Sequence, residues 1–201
     1  MELVPDRMEA FLELSGMVSV DDAIIRKCAE VVAGSKEEVE TAKRLFEWVR
    51  DKIPHTKDIQ GEVVTCQAKE VFKEGTGICF AKAHLLAAML RHQGIPCGFC
   101  YQVFENDVQE ETGLLALHGL NAIFLETTGK WHFVDPRGNQ EGIHAEFSLG
   151  EPSLAFPELA FLDNRIYAEP LDIVVQGLET ADSISTFWPV LPAVPRDAVC
   201  Y

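Results

Sequence analysis

Cys79 stands behind the run Gly75-Thr76-Gly77-Ile78 and ahead of a long apolar stretch, Phe80 to Leu90. That pattern predicts a thiol at the first turn of a buried helix spanning roughly Cys79 to His92. There the unpaired backbone N–H groups and the positive end of the helix dipole both favour the thiolate, which is the reactive form of cysteine. Glycines just before it would let the backbone approach a substrate closely. A cysteine at such a place is equally compatible with plain burial, because free cysteine is among the most buried residue types.

Two downstream residues supply what a thiol nucleophile needs, a base within hydrogen-bond reach and an acceptor that orients the base. His118 opens an expected strand running to Leu125. Thr127-Thr128-Gly129-Lys130 reads as a hairpin turn, and Trp131 to Val134 as the returning strand, which ends at Asp135. Antiparallel pairing would bring the start of the first strand near the end of the second, so imidazole and carboxylate should meet at one sheet edge. Taken singly, His118 could be an ordinary half-buried strand residue and Asp135 a turn cap before Pro136.

These residues need a scaffold, and the chain is expected to supply one. Asp21 and Asp22 cap a first helix that Gly34 stops. Ser35 and Glu38 form a capping-box pattern ahead of a second helix, which carries Val39, Ala42, Leu45, Phe46 and Val49 at helical spacing and ends before Pro54. Thr65 opens a short third helix. The fourth is the Cys79 helix, apolar on most sides and therefore central, with Gly94 as its stop. Strand character follows from Pro96 to Phe104. Leu154 to Phe161 and Leu171 to Leu178 are further candidate elements, and the proline-bearing tail from Phe187 reads as extended. Residues 1–18 carry no clear pattern. Helices first and an antiparallel meander after predict an α+β fold with the buried helix packed on one sheet face. One domain is expected over residues 1–201, with a core of about 36–145 and a C-terminal extension, 146–201, packing on it.

Composition narrows the function. A net charge of −15 argues against nucleic-acid and anionic-membrane partners, which need clustered Lys and Arg. No apolar run approaches the roughly 20 residues that cross a bilayer, and no signal-peptide pattern follows Met1, so a cytoplasmic location is expected. The six cysteines then read mostly as reduced thiols. Cys97-Gly98-Phe99-Cys100 falls in a strand, where its two thiols would point to opposite faces. Redox or zinc use is disfavoured, and no cofactor or metal is expected. His84, His92, His132 and His144 are assigned no chemical role. Arg137 is expected to pair within the protein, and the acidic segment holding Glu105, Asp107, Glu110 and Glu111 to be a solvated loop, with gating of the site as its one functional alternative.

The stretch from Gly75 to Arg91, followed by Gly94-Ile95-Pro96, resembles the nucleophile helix of bacterial transglutaminase-like proteins. Leu117-His118-Gly119-Leu120-Asn121-Ala122 resembles their histidine strand, and Trp131 to Asn139 their aspartate segment. The resemblance covers about residues 36–145 and implies the papain-like α+β fold, with Cys79, His118 and Asp135 as the triad. Leu120 and His55 depart from it, standing where many members carry an aromatic residue and a tyrosine. The implied reaction is acyl transfer on a peptide or protein amide, ending on water or on an amine. The Cys79 backbone N–H is an oxyanion donor, and Gln67 and His55 are candidates for a second. A non-catalytic interaction domain on the same fold is the alternative.

Overall fold

The computed structural model describes residues 1–105 and 113–199; the acidic segment expected to be a solvated loop lies largely outside them. Helices α1 (Asp22–Val31), α2 (Glu38–Lys52), α3 (Ala68–Glu74) and α4 (Cys79–His92) precede most of the sheet, as expected. Asp21 caps α1 by accepting from the Ala23 and Ile24 N–H groups at 3.0 and 2.9 Å. The expected capping box of α2 does not form. Ser35 Oγ bonds Thr41 Oγ1 instead, and the Glu38 carboxylate is claimed by a tertiary partner. It accepts from the Glu126 N–H, the Thr127 N–H and the Thr127 hydroxyl, all in the hairpin turn. Helix α3 starts three residues later than expected, because Thr65 Oγ1 bonds the Thr76 carbonyl rather than capping a helix.

Helix α4 matches its expected limits. Every residue from Phe80 to Arg91 is buried, and the chain leaves through Gly94 in the left-handed region, φ 75°. An all-round apolar helix must lie in the core, and α4 packs against α2, α3 and the sheet.

The sheet comprises β1 (Glu2–Val4), β2 (Cys97–Phe104), β3 (Leu114–Leu125), β4 (Lys130–Val134), β5 (Ala160–Phe161), β6 (Arg165–Tyr167) and β7 (Ala193–Pro195). Its path is β1-β6-β2-β3-β4, with β5 on β2 and β7 on β3. The meander β2-β3-β4 is antiparallel as expected, but the edge pair β1 and β6 is parallel. The uninformative N-terminus thus contributes a strand, and the tail contributes another. Strand β3 begins at Leu114, four residues before the expected start, because β7 supplies a partner for Leu114 to Ala116. The second half of the chain adds helices α5 (Asp172–Thr180) and α6 (Ile184–Phe187).

Two glycines set the spacing of the layers. A β-carbon on Gly119 would lie 2.5 Å from the Phe80 ring, so α4 can approach β3 only where that side chain is missing. A β-carbon on Gly98 would lie 2.4 Å from Ile166 and 2.9 Å from Phe11, which cover the opposite face. Cys97 joins the core on the helix side and Cys100 the smaller cluster around Phe11, so the two thiols do face opposite ways. No helix among the described residues is long and apolar enough to cross a membrane.

Candidate active site

Cys79 sits at the first position of α4, behind Ile78, and lines a cleft of about 600 Å3. Among the described cysteines it is the only one with partial exposure; Cys28, Cys66, Cys97 and Cys100 are buried. Burial pushes the thiols of Cys28, Cys66 and Cys97 up to about 12, and that of Cys100 well above its ordinary value. The glycines before Cys79 have structural tasks. Gly75 ends α3 with φ 67°, and a β-carbon on Gly77 would press on Thr65, Ala81 and Val71 at 3.1–3.3 Å.

His118 and Asp135 come together, by a slightly different route from the one the hairpin suggested. The register Asn121 to Val134 puts Asp135 level with Leu120, so His118 is its diagonal neighbour rather than the residue opposite. Diagonal partners on one face remain within reach of longer side chains. His118 Nε2 and Asp135 Oδ2 are 2.8 Å apart, and both residues are buried. The close approach at Gly119 holds the first turn of α4 against β3 beside His118, and Cys79 and His118 line the same cleft. With Nε2 given to Asp135, Nδ1 is the nitrogen left for sulfur.

The surroundings favour an ion pair. Asp135 is fully buried, yet it also accepts from the Arg137 N–H at 3.0 Å and the Ala155 N–H at 3.1 Å. Burial would raise its carboxyl, but the His118 charge and these donors outweigh burial and hold it below the usual range. The bond to Arg137, two residues on, is the turn-capping role the sequence also allowed. Burial pulls His118 down, but the Asp135 carboxylate, together with Cys79, pushes it up to about 10. The edge of the His118 ring meets Phe156, centroids 4.9 Å apart, which shields the pair.

The sign of the linkage yields a test. A raised histidine contributes stability that is complete below its ordinary value of 6.5 and fades as pH climbs towards 10. A lowered carboxyl contributes stability that is complete above its ordinary value of 3.8 and fades as pH falls. The stability gap between the parent and Asp135→Asn, from urea melts across pH, should therefore be widest between about 4 and 6.5 and shrink towards 10. A gap that holds flat to pH 10 would contradict the ion pair.

Among the two further oxyanion candidates, His55 lines the cleft and Gln67 does not. Gln67 is the residue before α3, where its N–H donates to Glu70. His55 forms a parallel bridge with Gly77, and the Thr56 N–H donates to the Gly77 carbonyl at 3.2 Å, so this strap lies alongside the residues leading to Cys79. His55 is 4% exposed, and its Nδ1 has no hydrogen-bond partner. Burial first, and then the nearby charges of Arg137 and Lys82, push it down to about 2, so its ring is neutral. Arg137 pairs within the protein, as expected, through a fork to Asp58 at 2.6 and 2.8 Å.

Sequence reasoning passed over Lys82. It lies one turn after Cys79 with no exposed surface. Its ammonium donates to the carbonyls of Arg50 at 3.1 Å and Arg137 at 3.0 Å, and also to that of Ile53. One side chain thereby ties the end of α2, the approach to His55 and the turn after Asp135 to the Cys79 helix. Gly138, at φ 109°, leaves room for it, since a β-carbon there would lie 3.2 Å from Nζ. The available signal was a lone lysine inside an apolar helix, a residue that stays buried only with partners.

Comparison with known proteins agrees with this architecture. No curated protein sequence matches the chain. Among solved structures, a protein from Cytophaga hutchinsonii provisionally assigned as a cysteine protease aligns with a TM-score of 0.50 at 17% identity, over 67% of this chain and 44% of its own. A structure described as a TGase aligns with a TM-score of 0.44 at 16% identity, over 64% of this chain and 33% of its own. This chain therefore spans less than half the length of either. The profile of the transglutaminase-like superfamily matches residues 25–136, just over half of the sequence, and contains Cys79, His118 and Asp135. The chain belongs to the transglutaminase-like superfamily.

Proposed function

We propose that this chain transfers acyl groups from carboxamide bonds through a thioester on Cys79, with His118 as acid and base and Asp135 as the residue that orients and charges the imidazole. The observation that carries the reading is the 2.8 Å contact of His118 with a buried carboxylate, in the cleft holding the partly exposed cysteine. Cys79 sulfur attacks the carbonyl carbon, and the tetrahedral oxyanion is held by the Cys79 backbone N–H at the head of α4. As the intermediate collapses, the C–N bond breaks and His118 passes its proton to the departing nitrogen. Water or an amine then attacks the thioester, gives a proton to His118, and frees the thiol. Water makes the reaction hydrolysis of a peptide or isopeptide bond; an amine makes it transamidation. The partner is a peptide or protein amide.

His55 is assigned as the second oxyanion donor. A ring that stays neutral has one N–H to give, and His55 lies in the cleft beside the residues leading to Cys79. His55→Phe keeps the ring and removes the donor. It should lower kcat by roughly 100-fold with KM little changed, as loss of an oxyanion-hole donor does. An unchanged kcat removes His55 from the mechanism.

The reading as a whole is tested by intact mass after incubation with p-nitrophenyl acetate, a small activated acyl donor. One acetyl group should appear on the parent and none on Cys79→Ala. No acetylation, or equal acetylation of both proteins, rejects it and favours a binding module.

A further inference from the structure

We infer that the cleft selects an acyl donor bearing a bulky aliphatic or aromatic side chain on the carbon next to the reacting carbonyl, in preference to a γ-glutamyl donor; this rests on the reading of Cys79 as nucleophile. Charged and polar groups, among them Lys57, Asp58, Arg137 and Glu158, line part of the cleft, and its apolar wall beside Cys79 and His118 is Phe104, Leu117, Phe156, Leu159, Trp188 and Leu191. Four of these six lie at 156–159 and 188–191, beyond the residues 25–136 that match the superfamily. The wall is thus supplied largely by segments outside the matched residues.

The wall is built into the sheet. Gln102 pairs with His118 in the β2–β3 register, and its Nε2 donates to the carbonyls of Phe156 and Leu159, each at 3.0 Å. That buried amide fixes both apolar residues at the level of the histidine. On the other side, the Leu117 N–H donates to the Pro192 carbonyl at 2.8 Å, which holds the Trp188–Leu191 turn beside the strand carrying His118. Lys57 Nζ sits 3.4 Å from the centroid of the Trp188 ring and steadies the indole. A preformed apolar recess at the nucleophile gains free energy from an apolar acyl side chain through area removed from water. A γ-glutamyl donor presents two methylenes next to its carbonyl and leaves most of the recess unfilled.

Four p-nitrophenyl esters with one leaving group test this: N-benzyloxycarbonyl phenylalanine, leucine and alanine, and the γ-ester of N-benzyloxycarbonyl glutamate. In each turnover a Cys79 S–C bond forms, the ester C–O bond breaks, p-nitrophenol leaves with the proton, and water regenerates the thiol as the acid departs. The phenylalanine and leucine esters should exceed the other two in kcat/KM by about ten-fold or more, the span that pocket filling commands. Trp188→Ala should cut the phenylalanine-to-alanine ratio by about ten-fold. Leu159→Ala, at a second half-buried residue of the wall, should cut it in the same direction, with circular dichroism checking both folds. Equal or faster turnover of the alanine or γ-glutamyl ester overturns the inference and leaves the thiol mechanism standing. A phenylalanine-to-alanine ratio unmoved in folded Trp188→Ala and Leu159→Ala overturns it as well. If no ester gives turnover that Cys79→Ala abolishes, the nucleophile reading fails and the inference fails with it.

Discussion

Replacing His118 with alanine should lower kcat/KM for acyl transfer by roughly four orders of magnitude, and Asp135→Asn by about two to four, as removal of triad members does elsewhere. In the proposed relay, His118 stands between the Cys79 sulfur on the helix layer and the Asp135 carboxylate at the end of β4. Without its ring, no group receives the incoming proton or protonates the departing nitrogen. Asp135→Asn keeps the shape but removes the charge that outweighs burial at His118. An asparagine there could also present its amide to Nε2 and reverse the tautomer. Because the three residues are proposed to act as a unit, Cys79→Ala combined with His118→Ala should be no worse than either alone. Steady-state kinetics on an activated ester would decide the matter. Losses below about ten-fold for His118→Ala would show that the histidine has no part in the chemistry.

The second large effect is on stability. Lys82→Met should destabilise the protein by about 3–5 kcal/mol, because the carbonyls of Arg50, Ile53 and Arg137 lose a buried donor that nothing replaces. Methionine keeps the length of the side chain, so the loss reads out the Nζ donors rather than a cavity. The pH dependence follows from the environment. Burial pulls Lys82 down from 10.5 to about 7, against the opposing charge of Asp135. A lowered lysine contributes stability that is complete above its ordinary value and is lost as pH falls through its native one. The gap between parent and variant should therefore narrow as pH drops from about 10 to 7. Denaturant unfolding at several pH values would test both parts. A variant as stable as the parent would mean that the three carbonyls find other partners.

Much of this was legible in the sequence because it depended on local signals. The apolar run behind Cys79, the stop at Gly94 and the hairpin turn at Gly129 are each encoded within a few residues, and the structure follows them closely. Alternation along β2 correctly separated Cys97 from Cys100. What escaped was set by partners distant in the chain. Phe11 is buried against Gly98, yet nothing near it marks it as core. The early start of β3 depends on residues 193–195, and the loss of the expected capping box depends on a turn at 126–127. The same holds for the cleft. Its catalytic candidates carried a readable order, whereas Phe156, Leu159 and Trp188 reach it only through Gln102 and the tail, which no spacing rule connects to Cys79. Lys82 was overlooked because a helix that is apolar on every side leaves no visible face from which a charge could be judged out of place.

The most direct measurement is the rate of iodoacetamide alkylation at each cysteine, mapped by peptide mass spectrometry at pH 6.5 in the parent and in His118→Ala. The expected result is that Cys79 reacts about 100-fold or more faster than Cys28, Cys66, Cys97 and Cys100, and that its advantage collapses when the imidazole is removed. Labelling of Cys79 no faster than that of the buried four, or a Cys79 rate indifferent to His118, would contradict the relay on which the proposed chemistry stands.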